Sequence, residues 1–356
     1  MTRKWLWTLG IPVLVTLVAS EVGTAQQQGN AAQRWLRPNE ALRSTDGTVT
    51  EFPLPNPGSG PTTIALTQDG TVWFTESAGN RIGRMQPDGS GLTEFPLPNP
   101  NSSPRIIAVG ADGNLWFSEH TGNRMGRLTP AGQLTEYAIP TPNAFPRAIA
   151  LGADGNIWFG EFGGGKVGKI TPAGVITEYP IPTSDSGPRA LAAGPDGNIW
   201  FSEFNASKIG RITPAGVITE FPLPRPNSGP GDITAGADGT MWFVELSGTM
   251  DGRKPDGNRV GRITMKGDIT EFPIPSPTGS PINVAVGPDR NVWFTKASLV
   301  GRVTPDGTIT EFPLPTPNGG ATGLTAGSDR QPPGRLSNRL WVAESAGNKL
   351  AFLSFK

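Results

Sequence analysis

One phrase recurs along the chain: a Pro-led apolar strand, a Gly/Asp turn, Trp-Phe-x-Glu, then Gly-Arg-Ile-Thr, then Thr-Glu-Phe-Pro. Its fullest copy is GPRALAAGPDGNIWFSEFNASKIGRITPAGVITEFPLP, from Gly187 to Pro224. The tryptophans that keep the register are Trp73, Trp116, Trp158, Trp200, Trp242, Trp293 and Trp341, spaced 43, 42, 42, 42, 51 and 48 residues apart. A period of about 40–50 residues built from short strands marks a β-propeller, with one repeat to a blade. The expected fold is all-β: a seven-bladed β-propeller of four-stranded blades over residues 47–356.

Turn residues divide each repeat into four strands. In the fourth copy the expected strands are Ala190–Gly194, Asn198–Phe204, Lys208–Thr213 and Val217–Leu223, separated by Pro-Asp-Gly, Asn-Ala-Ser and Pro-Ala-Gly. Neighbouring blades cover both faces of a blade, so Ile199-Trp200-Phe201 is continuously apolar where a half-exposed strand would alternate. Gly168 and Gly210, inside third strands, suit a close backbone approach between blades. Proline on the fourth strand fits an outer edge, where a missing N–H costs little and edge pairing is blocked.

The Thr-Glu-aromatic strands, marked by Glu51, Glu94, Glu136, Glu178, Glu220, Glu271 and Glu311, are offset from the tryptophans by one. The first precedes every Trp motif, and the chain ends soon after the last. Gly47–Leu54 is therefore expected to supply the outer strand of the last blade, clasping the two termini together.

Ahead of the repeats, Arg3 and Lys4 precede an apolar stretch from Trp5 to Val18, with small residues at Gly23-Thr24-Ala25. Residues 1–25 read as a secretory signal and 26–46 as a polar lead-in, which predicts an exported, periplasmic or extracellular protein with no membrane span after cleavage. There is no cysteine, so neither a disulfide framework nor a lipoprotein anchor is available. Without the leader, 28 of the 30 basic and 29 of the 30 acidic residues remain, a net charge of −1. That balance gives no reason to expect nucleic acid or an anionic membrane as partner. A monomer is expected.

Chain direction decides which residues gather at one mouth of the ring, called here the upper face. The residues following each repeat's opening position line the central opening: Thr62, Arg105, Arg147, Arg189, Gly231, Ile282 and Thr322. The same face receives Glu76, Glu119, Glu161, Glu203, Glu245 and Glu344 from the Trp-Phe-x-Glu strands, with Lys296 in the sixth copy. Arg105, Arg147 and Arg189 come from consecutive blades and could present guanidinium forks to a carboxylate, with Glu119, Glu161, Glu203 and Glu245 nearby to share in ligand binding. The competing reading pairs each Arg with a Glu in a structural ring, and a glutamate repeated in six copies is too regular for one active site. His120, the single histidine, follows Glu119 in an upper loop and is read first as solvated. Asp-Gly and Ala-Gly turns fall on the lower face and are explained by turn chemistry. Two insertions interrupt the period, an upper loop at 246–258 and a lower excursion at 329–338.

The phrase GPxxIxxGxDGxxWFTExxxNxIGRITxxGxITEFxLPxP, carried by Ser103–Pro142 and Gly187–Pro226, resembles the streptogramin B lyases, also called virginiamycin B lyases. The similarity runs from about residue 48 to 353. It implies a seven-bladed propeller that, with magnesium, opens the ester of cyclic depsipeptide antibiotics by elimination. It also implies a catalytic pair of histidines directly after the opening position of the last two blades. Those places hold Ile282 and Thr322 here, Gly320 stands where the resemblance puts an acid, and Glu344 alone matches the remaining glutamate. Neither Ile282 nor Thr322 can serve as a base near neutral pH.

Three function classes follow. The first is a binding or scaffolding propeller of the cell envelope that takes a small molecule, peptide or glycan at the upper mouth. The second is a divergent C–O lyase or lactone hydrolase with the arginines as oxyanion clamp and a carboxylate as base. The third is a protein-interaction ring resembling the NHL-repeat propellers, which an exposed apolar patch on one face would favour.

Overall fold

The computed structural model describes residues 48–247, 256–327 and 339–355, all within one compact unit. The expected signal, the lead-in, the insertion at 329–338 and most of that at 246–258 lie outside the described residues. The described strands form seven four-stranded antiparallel sheets. Blade 1 is Pro61–Leu66, Val72–Glu76, Arg81–Met85 and Thr93–Pro96, and blades 2–6 repeat this order from the axis outwards. Blade 7 takes Ala321–Gly327, Arg339–Glu344 and Lys349–Ser354 from the C-terminal end and Val49–Pro53 from the N-terminal end. Val49 pairs with Leu353, Glu51 with Ala351 and Pro53 with Lys349, so the offset between the two motif series is a strand exchanged across the termini.

The hydrophobic core is divided among the spaces between blades. One cluster joins Trp158, Val167 and Ile181 of blade 3 to Leu191, Ile199 and Phe201 of blade 4. Another joins Trp341 and Leu350 of blade 7 to Ile64 and Phe74 of blade 1, which closes the ring. Second strands such as Val72–Glu76 are buried along their whole length, as their unbroken apolar run requires.

The repeat's Arg and Trp are explained by packing at the lower side. Arg84 lies 5.3 Å over the Trp73 ring and 5.5 Å over Phe95, and its Nη1 donates to the Pro130 carbonyl of the next blade at 2.9 Å. Arg127 does the same with Trp116, Tyr137 and Pro172. Turn aspartates do more than turn the chain: Asp154 and Asp196 each accept the indole N–H of their blade's Trp at 3.1 Å.

The third-strand glycines serve a contact other than the one expected. A Cβ at Gly210 would stand 2.1 Å from Cζ of Phe201, and one at Gly168 equally close to Phe159. These are cross-strand partners within a blade, Phe201 opposite Gly210 and Phe159 opposite Gly168. The glycine makes room for a ring of its own sheet, and the close approach is not between blades.

Candidate functional site

Each inner strand begins with an irregularity that sets the site. In blade 3 Pro146 pairs with Glu161 and Ala148 with Gly160, leaving Arg147 as an extra residue. The other blades slip in register at the corresponding place, as between Pro104 and Ile107 or Pro188 and Leu191. A bulge of this kind re-aims a side chain, here toward the ring axis. Thr62, Arg105, Arg147, Arg189, Ile282 and Thr322 consequently line one cavity of ≈ 100 Å³ at the start of the inner strands. Gly231 has no side chain to offer, and its neighbour Asp232 takes the fifth place.

Bulging also leaves backbone N–H groups without ladder partners, and side chains take them up. The hydroxyls of Ser118 and Ser202 accept from Ile106 and Ala190. Asp232 Oδ2 accepts Val284 N at 3.0 Å and Asn283 Oδ1 accepts Leu324 N at 3.0 Å, linking blades 5, 6 and 7 around the cavity. Burial pushes the Asp232 carboxyl up to about 6, against the two backbone hydrogen bonds it accepts and the charge of Arg189. Among the described residues Asp232 is the one carboxylate lining the cavity, beside three guanidinium groups, which makes the described lining cationic. Its signal in the sequence was a charged residue at an inner-strand position held elsewhere by Thr63, Ile106, Ala148 and Ala190.

The arginines are braced by aromatic rings. Arg147 lies 5.1 Å over Phe162 and Arg189 5.2 Å over Phe204, while Phe162 and Phe204 are themselves 6.3 Å apart. Both rings directly follow the motif glutamate, a place held by His120 in blade 2 but by Ser77, Leu246, Ala297 and Ser345 in the blades without a mouth arginine. Guanidinium stacking on a ring fixes the direction in which the fork points.

The glutamates lie elsewhere. Glu76, Glu119, Glu161, Glu203, Glu245 and Glu344 are fully buried, and none of them lines the cavity. Each is set beside a third-strand cation and a fourth-strand carboxylate of its own blade. Arg81 stands 3.4 Å from Glu76, Lys208 3.5 Å from Glu220 and Lys349 2.7 Å from Glu51. Burial, with the second carboxylate adding to it, pushes Glu119, Glu161 and Glu344 up to about 7 and Glu203 and Glu245 up to about 8. In blade 6, Lys296 replaces the glutamate and Leu299 the third-strand cation, and Lys296 Nζ reaches Asn258 Oδ1 at 2.7 Å and Ser276 Oγ at 2.9 Å.

A larger hollow of ≈ 830 Å³ opens at the other end of the inner strands, beside Leu66, Val109 and Leu151. Its polar groups are spent on structure: Asp69 accepts from Thr71 N, Asp112 from Asn114 and Trp116, and Arg84 donates to Pro130. Among the described residues no convergent set of charged groups remains there to orient a ligand.

A sequence profile of the virginiamycin B lyase family matches residues 38–253 and 184–355, together nearly the whole of the repeat region. The chain belongs to that family. A streptogramin B lyase structure superposes with a TM-score of 0.79 at 36% identity, covering 87% of this chain and 98% of that one. A catalytically inactive His-to-Ala variant of virginiamycin B lyase from Staphylococcus aureus with quinupristin gives 0.79 at 35% identity, covering 87% and 100%. Among curated relatives, virginiamycin B lyase from Bacillus licheniformis is 46% identical over 41 residues, and this match spans 12% of the present chain and 14% of the relative.

Magnesium, which the family resemblance implies, calls for several oxygen ligands. Among the described residues no group of three or more His, Cys, Asp or Glu side chains is placed to hold a metal ion. The described lining of the upper cavity, with one carboxylate against three guanidinium groups, does not fit a divalent cation.

Proposed function

We propose that this family member is an exported binding propeller of the cell envelope whose upper cavity holds a small anion or the anionic group of a larger molecule. Convergence of Arg105, Arg147 and Arg189 on a single cavity carries this reading. A volume of ≈ 100 Å³ suits a carboxylate or phosphate, whereas a drug-sized ligand needs about 300 Å³ or more. Ile282 and Thr322, which cannot exchange a proton near neutral pH, stand where the resemblance places the histidines, and the single His120 belongs to blade 2. A peptide, glycan or metabolite would meet the protein through such a group.

Isothermal titration with acetate and with inorganic phosphate tests the reading. A shielded, charge-assisted bond is worth about 1.5–3 kcal/mol, so Arg147→Ala should weaken binding of these anions at least about tenfold. Loss of stability in that variant with unchanged affinity would place Arg147 in the scaffold alone.

A second reading, a divergent C–O lyase or lactone hydrolase acting on a cyclic depsipeptide or other lactone, is favoured by Asp232. A carboxyl raised to about 6 beside an arginine clamp has the character of a general base. Incubation with a type B streptogramin and magnesium, followed by mass spectrometry, is expected to give no linear product. Turnover that Asp232→Asn abolishes would favour the lyase.

A further inference from the structure

Phe145 occupies a place that four blades give to glycine and two to serine. The residue before each inner strand has a left-handed backbone in six blades, with φ of 60° at Gly60, 61° at Gly187, 55° at Gly229 and 64° at Gly320. Blade 2 places Ser103 there, and blade 3 places Phe145 at φ 47°. A bulky side chain in this region carries strain that glycine avoids, and such strain collects at functional sites. The ring gains no full burial in return, since Phe145 stays 37% exposed.

Its surroundings are shaped for the ring. A Cβ at position 163 would lie 2.5 Å from the Asn143 carbonyl oxygen and 2.6 Å from Phe145 Cδ2, so both the turn and the ring need the glycine that stands where other blades carry Ala78, Thr121, Asn205 or Ala346. The His120 ring lies 5.4 Å from Phe145, tilted by 44°, and its Nδ1 donates to the Pro146 carbonyl at 3.3 Å. Two residues beyond Phe145, Arg147 enters the cavity.

We propose that Phe145 and His120 form a ring-stacking subsite beside the arginine-lined cavity, so that the ligand is an aryl-substituted carboxylate. This deepens the anion-binding reading and rests on it. The carboxylate enters the cavity among Arg105, Arg147 and Arg189, while the aryl group lies outside on the Phe145 ring. The ≈ 100 Å³ cavity thereby needs to admit only the charged end. Aromatic rings meeting in offset or tilted geometry supply selectivity that charge alone does not.

The test compares acetate with phenylacetate by isothermal titration on the full chain and on Phe145→Gly. The parent protein is expected to bind phenylacetate about tenfold more tightly than acetate. Phe145→Gly should bring the two within about twofold and leave acetate affinity unchanged. Phe145→Ser, which copies Ser103 of blade 2, provides a second variant, and a circular-dichroism melt verifies that both are folded. Equal affinities in the parent protein, or a preference that survives both substitutions, would overturn the subsite while leaving the anion reading intact. Failure of both acids and of phosphate to bind would overturn the anion reading, and the subsite with it.

Discussion

Glu203→Gln should stabilise this propeller at pH 8 and affect it much less at pH 5. Glu203 is fully buried, and neither of its oxygens accepts a hydrogen bond among the described residues. Burial, then the charge and the hydrogen bond of Glu220, push its carboxyl up to about 8. Burial works against Glu220 as well, yet hydrogen bonds from Thr183 and Glu203 hold it below its ordinary value. The pair is thus a protonated Glu203 donating to an ionised Glu220, with Lys208 3.5 Å from the latter. In the unfolded chain Glu203 returns to its ordinary value of 4.5.

Between those two values the folded protein holds a proton that the unfolded chain has released, so the group's contribution is complete below about 4.5 and is lost as pH rises toward 8. At about 1.4 kcal/mol per pKa unit the ceiling on that loss is about 5 kcal/mol. Lys208 pairs with Glu203 across the strands and recovers part of it by turning inward, and we expect the remaining difference to be about 1–3 kcal/mol. Glutamine keeps the shape and the donor of the protonated acid and does not titrate. Urea unfolding at pH 5 and pH 8, with the denaturant slope compared between proteins, reads the effect. A variant less stable than the parent at pH 8, or offset equally at both pH values, would refute the shared proton and indicate an ionised Glu203 paired with Lys208.

Two further outcomes concern the scaffold. Gly210→Ala forces a Cβ to 2.1 Å from Phe201 Cζ and should cost about 1–3 kcal/mol by overpacking, and Phe201→Val alone about 2–4 kcal/mol by leaving a cavity. The double variant copies the Val342–Ala351 pair that blade 7 already uses and should recover at least about 1 kcal/mol of the sum; strict additivity would show that the ring and the glycine are not a unit. A chain starting at Pro55 should melt more than about 5 °C below one starting at Gly47, because Val49–Pro53 closes blade 7 and Phe52 stacks 5.9 Å from Trp341. Equal midpoints would mean that blade 7 is stable with three strands.

The repeat made the ring legible because turn residues fix strand ends and the Trp and Glu series fix register. It made the contents of the mouth only half legible, for a geometric reason. In a propeller the faces of each sheet look at neighbouring blades, and only the edge of the innermost strand looks at the axis. Glu119, Glu161, Glu203 and Glu245 end second strands at the same end of the ring as the arginines, yet their side chains run into the blade and meet the third and fourth strands. A residue reaches the axis when a bulge turns it there, as with Arg147. Pairing partners across a bulge cannot be counted from spacing alone, so the place of Asp232 at the axis is not legible in the repeat.

In a chain built from one repeated phrase, the repeat itself is the scaffold's requirement, and function has to be sought where a blade departs from it. A departure counts only when nothing in the same blade undoes it. Blade 6 departs at Lys296, but Leu299 withdraws the cation that would have repelled it, and Ser276, Asn258 and Glu311 satisfy the relocated charge. That exchange conserves the scaffold by other means. Blade 3 departs at Phe145, and Gly163 relieves the clash without relieving the φ of 47°. The strain of that backbone is left standing beside Arg147, in the middle of the three blades that carry a mouth arginine and an aromatic residue behind it. A bulky residue held in that backbone conformation at the entrance to the cavity is a cost that a ligand in the proposed subsite would recover.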